Sequence, residues 1–164
     1  MNLPIIVLGA GGHAKVLIDA LCLNGATILG IVDPDINLHG TKILGVTVIG
    51  NDETVLNYPT DSILLVNGVG SIGLPKLRQT LYEKFKDWGY NFASVIHPSA
   101  IIASDVMLNE GAHVMAGAVI QPGSRIGRNS IVNTRVSVDH DCFVGENVHL
   151  SPSVTLSGGV NIGD

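Results

Sequence analysis

The adjacent pair His140-Asp141 carries the sharpest chemical signal in the chain. An imidazole titrates near neutral pH, and a neighbouring carboxylate can fix its tautomer and raise its basicity. That pairing suits a general base; two ordinary polar residues on a solvated corner are the alternative. A second signal lies near the start, where Gly9-Ala10-Gly11-Gly12-His13-Ala14 fits G-x-G-x-x-A. Glycines there permit close backbone approach, and a helix opening behind them offers free N–H groups and a positive dipole to a phosphate. His13 and Lys15 fall in the first turn of that helix and add cationic donors, while Asp33 closes the next strand. The alternative is that the glycines only make a tight turn and His13 packs locally, but packing alone does not call for a cationic pair at a helix start.

The other candidate ligands and nucleophiles are weaker. His97, His113, His140 and His149 all fall in the second half. His113 and His149 are 36 residues apart, a spacing that stacks them on one side of a coiled repeat, and this resembles the gamma-type carbonic anhydrases, whose coils share zinc-binding histidines between subunits. A third histidine should then follow closely, and residues 150–160 (LSPSVTLSGGV) contain none, so no metal is expected. Cys142 reads as packing, since only the His140 pair offers it a basic partner. Cys22, beside Leu21 and Leu23, reads as core.

The elements that must position these residues obey two sets of rules. Residues 1–92 alternate strand and helix, which implies a parallel sheet with covering helices. The expected strands are Pro4–Leu8, Thr27–Val32, Val46–Ile49 and Ser62–Val66. The expected helices are His13–Leu23, a short one at Asp52–Asn57, and Leu74–Trp88, whose apolar face carries Leu74, Leu77, Leu81 and Phe85. Asp33 to about Gly45 reads as a polar loop. This is one mononucleotide-sized half, so a nucleoside diphosphate carrying something small fits better than a dinucleotide. A nicotinamide-dependent oxidoreductase is disfavoured on the same ground.

Residues 93–164 follow a strict six. Every sixth residue from Ile96 to Ile162 is Ile, Leu or Val, and two places earlier sits a small or β-branched residue throughout. Neither a helix nor an alternating strand demands that period. A three-sided parallel β-helix does, with the aliphatic residues pointing inward. His140-Asp141 then falls at a corner, and His149 lies on a different side of the same prism. The rhythm stops at Ile162-Gly163-Asp164 without a polar cap, so further coils or a terminal element are expected beyond it, unless a neighbouring subunit covers the end.

Composition removes several function classes. The net charge is −5, with 9 Lys and Arg scattered singly, which argues against a nucleic-acid footprint. No run of about 20 apolar residues offers a membrane span. The N-terminus lacks a signal peptide's basic leader, and two cysteines make no disulfide framework, so a reducing, cytoplasmic setting is the default.

Taken together, IIVLGAGGHAKVLIDAL at 5–21, HPSAII at 97–102 and IVNTRVSVDHDCFVGENVHLSPSVTLSGGVNIGD at 131–164 resemble a group of bacterial sugar acyltransferases. These join an α/β N-terminal Rossmann-like half-domain to a left-handed parallel β-helix of hexapeptide repeats. They include UDP-4-amino-sugar (bacillosamine-type) N-acetyltransferases and sialic acid O-acetyltransferases. The resemblance implies the left hand of the coil, acetyl-CoA as co-substrate and a homotrimer with active sites between prisms. It implies His140 as general base, Asp141 as its orienting partner, and His149 near the acetyl-CoA thioester across a subunit boundary. It also implies Gly11, Gly12, His13 and Lys15 at the phosphates of a nucleotide-linked amino sugar, with Asp33 near the base or ribose. The glycine-rich turn with its cationic pair favours a nucleotide sugar over free sialic acid. A non-catalytic trimeric scaffold is the remaining rival.

Overall fold

Ile5–Leu8 is the apolar run that reads as a buried strand, and in a computed structural model of the chain, which describes residues 3–71 and 75–164, the whole run is buried. This strand, β1, pairs in parallel with β2 (Ile28–Val32) on one side. Strand β5 (Leu64–Asn67) pairs with it in parallel on the other. Strand β4 (Val46–Gly50) extends the sheet beyond β2, and β3 (Lys42–Ile43) closes that edge antiparallel, giving the order β3-β4-β2-β1-β5. The hairpin between β3 and β4 falls where a plain loop was expected. It turns at Leu44 (φ 48°) and Gly45 (φ 85°), left-handed geometry that Leu-Gly does not advertise as Asn-Gly would.

Helix α1 (Gly12–Leu23) buries Ala14, Leu17, Ile18, Ala20 and Leu21. Val16, Cys22 and Leu23 are exposed, so Cys22 is not core as its apolar neighbours implied. At about 100° per residue, Leu17, Ile18 and Leu21 share one face, and Cys22 turns away from it. Asp52–Asn57 forms a 3-10 helix.

Helix α2 (Pro75–Asp87) presents a different face from the one expected. Arg78, Tyr82 and Phe85 are buried, Leu81 is half-buried, Leu77 is 47% exposed, and Leu74 lies outside the described residues. The aromatic rings decide this. Tyr82 stacks on Phe92 with centroids 4.5 Å apart, and Phe85 meets Tyr90 edge-on at 6.0 Å. Arg78 lies on the same stripe at helical spacing and goes in with them. Its guanidinium donates to the carbonyls of Asn67 (2.8 Å) and Val69 (2.7 Å), while Asn67 Nδ2 donates back to the Arg78 carbonyl (2.9 Å). Burial pushes the Arg78 pKa down to about 9.

The chain divides into two compact units, Met1–Ala93 and Ser94–Asp164. The second is the left-handed parallel β-helix. Its two-residue strands stack in three columns, each strand pairing in parallel with the one 18 residues on. One side carries Ile101–Ile102, Val119–Ile120, Ser137–Val138 and Thr155–Leu156. The next carries Met107–Leu108, Arg125–Ile126, Phe143–Val144 and Asn161–Ile162, and the third Val95–Ile96, His113–Val114, Ile131–Val132 and His149–Leu150. The inward residues from Val114 to Leu156 form one core with Ala112, Ala118, Val136 and Cys142.

A second period of six emerges at the corners. Gly111, Gly117, Gly123, Asn129, Arg135, Asp141, Asn147, Ser153 and Gly159 all take left-handed backbone, with φ between 55° and 76°. From Asn129 onward their N–H groups donate to the carbonyl 19 residues earlier, at 2.8–3.0 Å. Small side chains add bonds between coils: Ser124 Oγ donates to the Asp139 carbonyl (2.9 Å), Ser130 Oγ to Gly145 (2.8 Å) and Cys142 Sγ to Ser157 (3.2 Å).

Candidate active site

The corner after Ser137–Val138 brings His140 and Asp141 into direct contact: His140 Nδ1 lies 2.8 Å from Asp141 Oδ2. Asp141 is one of the left-handed corner residues (φ 59°), and its N–H donates to the Pro122 carbonyl of the preceding coil at 3.0 Å. The His140 N–H donates to Asp139 Oδ1 at 2.8 Å. With Nδ1–H given to the carboxylate, the neutral ring carries its lone pair on Nε2. The side chain as a whole is 63% exposed. The hydrogen bond to Asp141 raises the His140 pKa most and the charge of Asp139 next; desolvation works against them, and the charge of Asp141 adds least.

His149 stands on another side of the prism, in the strand that pairs with Ile131–Val132, as the repeat spacing requires. Ile131 in turn pairs with His113, so His113 and His149 occupy one column two coils apart. Asn133 Nδ2 lies 2.9 Å from His149 Nε2. The amide cannot be reversed, because Asn133 Oδ1 accepts the Thr134 N–H at 2.7 Å. Nε2 is therefore the acceptor, and the proton of neutral His149 sits on Nδ1. Sequence reading passed over Asn133. Only the coil register reveals it, by placing Ile131 beside His149 and Asn133 at the corner that follows.

In the first unit, α1 opens at Gly12 with Gly11 at its cap and no side-chain capping bond, and the positive end of a helix dipole suits an anion. The glycines divide by role. Gly9 has φ +88°, and a Cβ there would come 3.0 Å from the Val69 side chain, so the chain itself needs it. At Gly11 and Gly12 a Cβ would meet nothing within 4 Å, and neither has left-handed φ. The fold alone does not explain those two. Lys15 is exposed and His13 half-buried on the opening turn of the helix. Asp33 holds the turn from below, accepting the Ala10 N–H on Oδ2 at 2.8 Å and the Asp35 N–H on Oδ1 at 2.9 Å. Thus Gly11, Gly12, His13, Lys15 and Asp33 gather at one end of the sheet, at the carboxyl ends of β1 and β2.

Cys142 is buried and its thiol donates to a carbonyl, as expected of a packing residue. Among the described residues, His, Cys, Asp and Glu nowhere gather in a group of three or more able to hold a metal ion. No described helix is long and apolar enough to cross a membrane.

The chain is similar to known proteins. The PglD N-terminal domain family matches residues 4–85. The acetyltransferase domain of PglB from Neisseria gonorrhoeae, solved with acetyl coenzyme A, superposes with a TM-score of 0.89 at 34% identity, over 100% of this chain and 78% of that one. PerB from Caulobacter crescentus, solved with CoA and GDP-perosamine, gives 0.87 at 40% identity, over 96% and 73%. The UDP-N-acetylglucosamine O-acyltransferase of Campylobacter concisus, which uses an acyl-carrier protein, is 30% identical over 152 residues, 93% of this chain and 47% of that protein. The chain spans about half the length of the curated relatives it matches. With a PglD-type half-domain at one end and the coiled prism at the other, the chain belongs to the hexapeptide-repeat sugar acyltransferase family.

Proposed function

We propose that this protein is an acetyl-CoA-dependent N-acetyltransferase that acetylates the amino group of a UDP-linked amino sugar. It works in the cytoplasm as a homotrimer, with His140 as general base at a subunit interface. The observation that carries the reading is the His140–Asp141 contact, which leaves the lone pair on Nε2 of a largely exposed imidazole of raised basicity.

The amine nitrogen of the sugar attacks the thioester carbonyl carbon, and Nε2 takes the proton that nitrogen sheds as the N–C bond forms. Asp141 stabilises the imidazolium that results. The tetrahedral intermediate then expels the CoA sulfur, which receives the proton, and the amide is left behind. Direct attack needs no acyl-enzyme. His149, fixed with its proton on Nδ1, is a hydrogen-bond donor suited to the thioester carbonyl. Gly11, Gly12, His13 and Lys15 hold the phosphates at the opening of α1, and Asp33 lies by the base or ribose.

The test is thiol release from acetyl-CoA with a UDP-4-amino sugar, a GDP-4-amino sugar or free sialic acid as acceptor. Release with the UDP sugar alone is expected. Release with the GDP sugar instead keeps the chemistry and replaces the nucleotide, while release with sialic acid alone makes the protein an O-acetyltransferase. No release with any of the three overturns acetyl transfer to a sugar. Sedimentation as a stable monomer overturns the interface site.

A further inference from the structure

The aromatic edge of His140 lies against residue 158, one coil further along. A Cβ built on Gly158 would come 2.5 Å from His140 Nε2, 2.6 Å from Cε1 and 3.1 Å from Cδ2. No alanine fits under the ring as it stands. The backbone itself makes no demand for glycine there: Gly158 is not among the residues with left-handed φ, whereas Gly159 beside it is, at 70°. The segment is pinned from both sides, since Cys142 Sγ donates to the Ser157 carbonyl at 3.2 Å and the Gly159 N–H donates to the His140 carbonyl at 2.8 Å. The other half of the pair is seated the same way, one coil earlier. A Cβ on Gly123 would collide with Asp141 Oδ1, though Gly123 also has φ +76° and is needed by the turn in any case.

We propose that Gly158 is a positioning residue for the proposed base: its missing side chain is the seat that lets the His140 imidazole lie on the next coil with Nδ1 on Asp141. The inference rests on the reading of His140 as the base. An alanine at 158 meets the free end of an exposed ring, which swings away at little cost, so the protein stays folded while the imidazole leaves Asp141. Asp139 and Asp141 are the charges that raise the His140 pKa, and the swing weakens the larger of these contributions, the hydrogen bond.

Gly158→Ala tests this with two readouts, steady-state kinetics and the titration of His140 Cε1–H by NMR in histidine-labelled protein. The expected result is a kcat lowered at least tenfold, an unchanged KM for the amino sugar, and a His140 pKa that falls toward the ordinary value. An unchanged titration overturns the positioning role, whatever happens to kcat. A lowered pKa with unchanged kcat supports the seat and removes His140 as the base, so the two readings fail separately. Should Gly158→Ala lose stability, the same substitution in a His140→Ala background is expected to regain it, because the ring is the obstacle. A loss that persists there overturns the proposal.

Discussion

Asn133 Nδ2 donates to His149 Nε2 across 2.9 Å, joining residues 16 apart in sequence on successive coils. The bond dictates which His149 nitrogen carries the proton, and so which can donate. Asn133→Asp offers an acceptor in place of the donor and draws the proton to Nε2. Long-range 15N–1H correlation spectra should show the tautomer switch. Transfer is expected to slow about tenfold, the worth of one hydrogen bond of ~1.5 kcal/mol. A switched tautomer with an unchanged rate would remove His149 from the oxyanion.

His140→Ala trims an exposed side chain at a solvated corner and leaves the aliphatic core intact, so the melting temperature should hold. Acetyl transfer is expected to drop by ~10²–10⁴, the range for a general base. Thiol release measured at saturating acceptor checks this, and a rate within threefold of the parent would assign the proton to another group.

Activity should depend on pH with a definite sign. On the proposed reading His140 works as a neutral base, so kcat/KM rises with pH and levels off above its pKa, which lies above the ordinary 6.5. Asp141→Asn removes the largest cause of that elevation. Its rising limb is expected to move to lower pH, with a reduced plateau. A limb that stays in place would mean that another group titrates.

Gly12→Ala separates a binding turn from a purely structural one. The added Cβ meets nothing within 4 Å of the protein itself, so thermal stability should change by no more than the small gain in helix propensity. Any phosphate resting on the first-turn N–H groups would meet it. KM for the nucleotide sugar is expected to rise severalfold while KM for acetyl-CoA does not move. Equal KM values for parent and variant would relocate the nucleotide.

Within the prism, Ile126→Ala removes a fully buried side chain from the shared core. The expected cost is about 2–5 kcal/mol in urea unfolding. A cost below ~1 kcal/mol would mean that the coils repack freely.

The coil was legible because its period is set by stacking and by little else. An inward aliphatic must recur at each side, so twelve aligned residues announce the whole prism. The His140–Asp141 contact could also be read, being local. What escaped were features that depend on a neighbour far away in sequence. Arg78 displaced Leu77 from the buried face of α2 because the aromatic rings of Tyr82 and Phe85 claim the sheet side. Asn133 and Gly158 gain their meaning from residues 16 and 18 positions away, which only the stacked coils bring together. The left-handed corners at Arg135 and Ser153 were hidden as well, since neither residue type favours that geometry.

The corner column also makes the prism an arithmetic device. Each six residues carry the chain one third of the way round, and each 18 lift it by one storey of ~4.8 Å. Insert six residues before Ser137, and the His140–Asp141 corner points out of a different wall. Insert 18, and it faces as before, one storey higher. Change by a number that is not a multiple of six, and the inward row itself is thrown out of step. The length of chain between two sites on this fold is thus a direction as well as a distance, and tolerated variation in it should come in whole storeys.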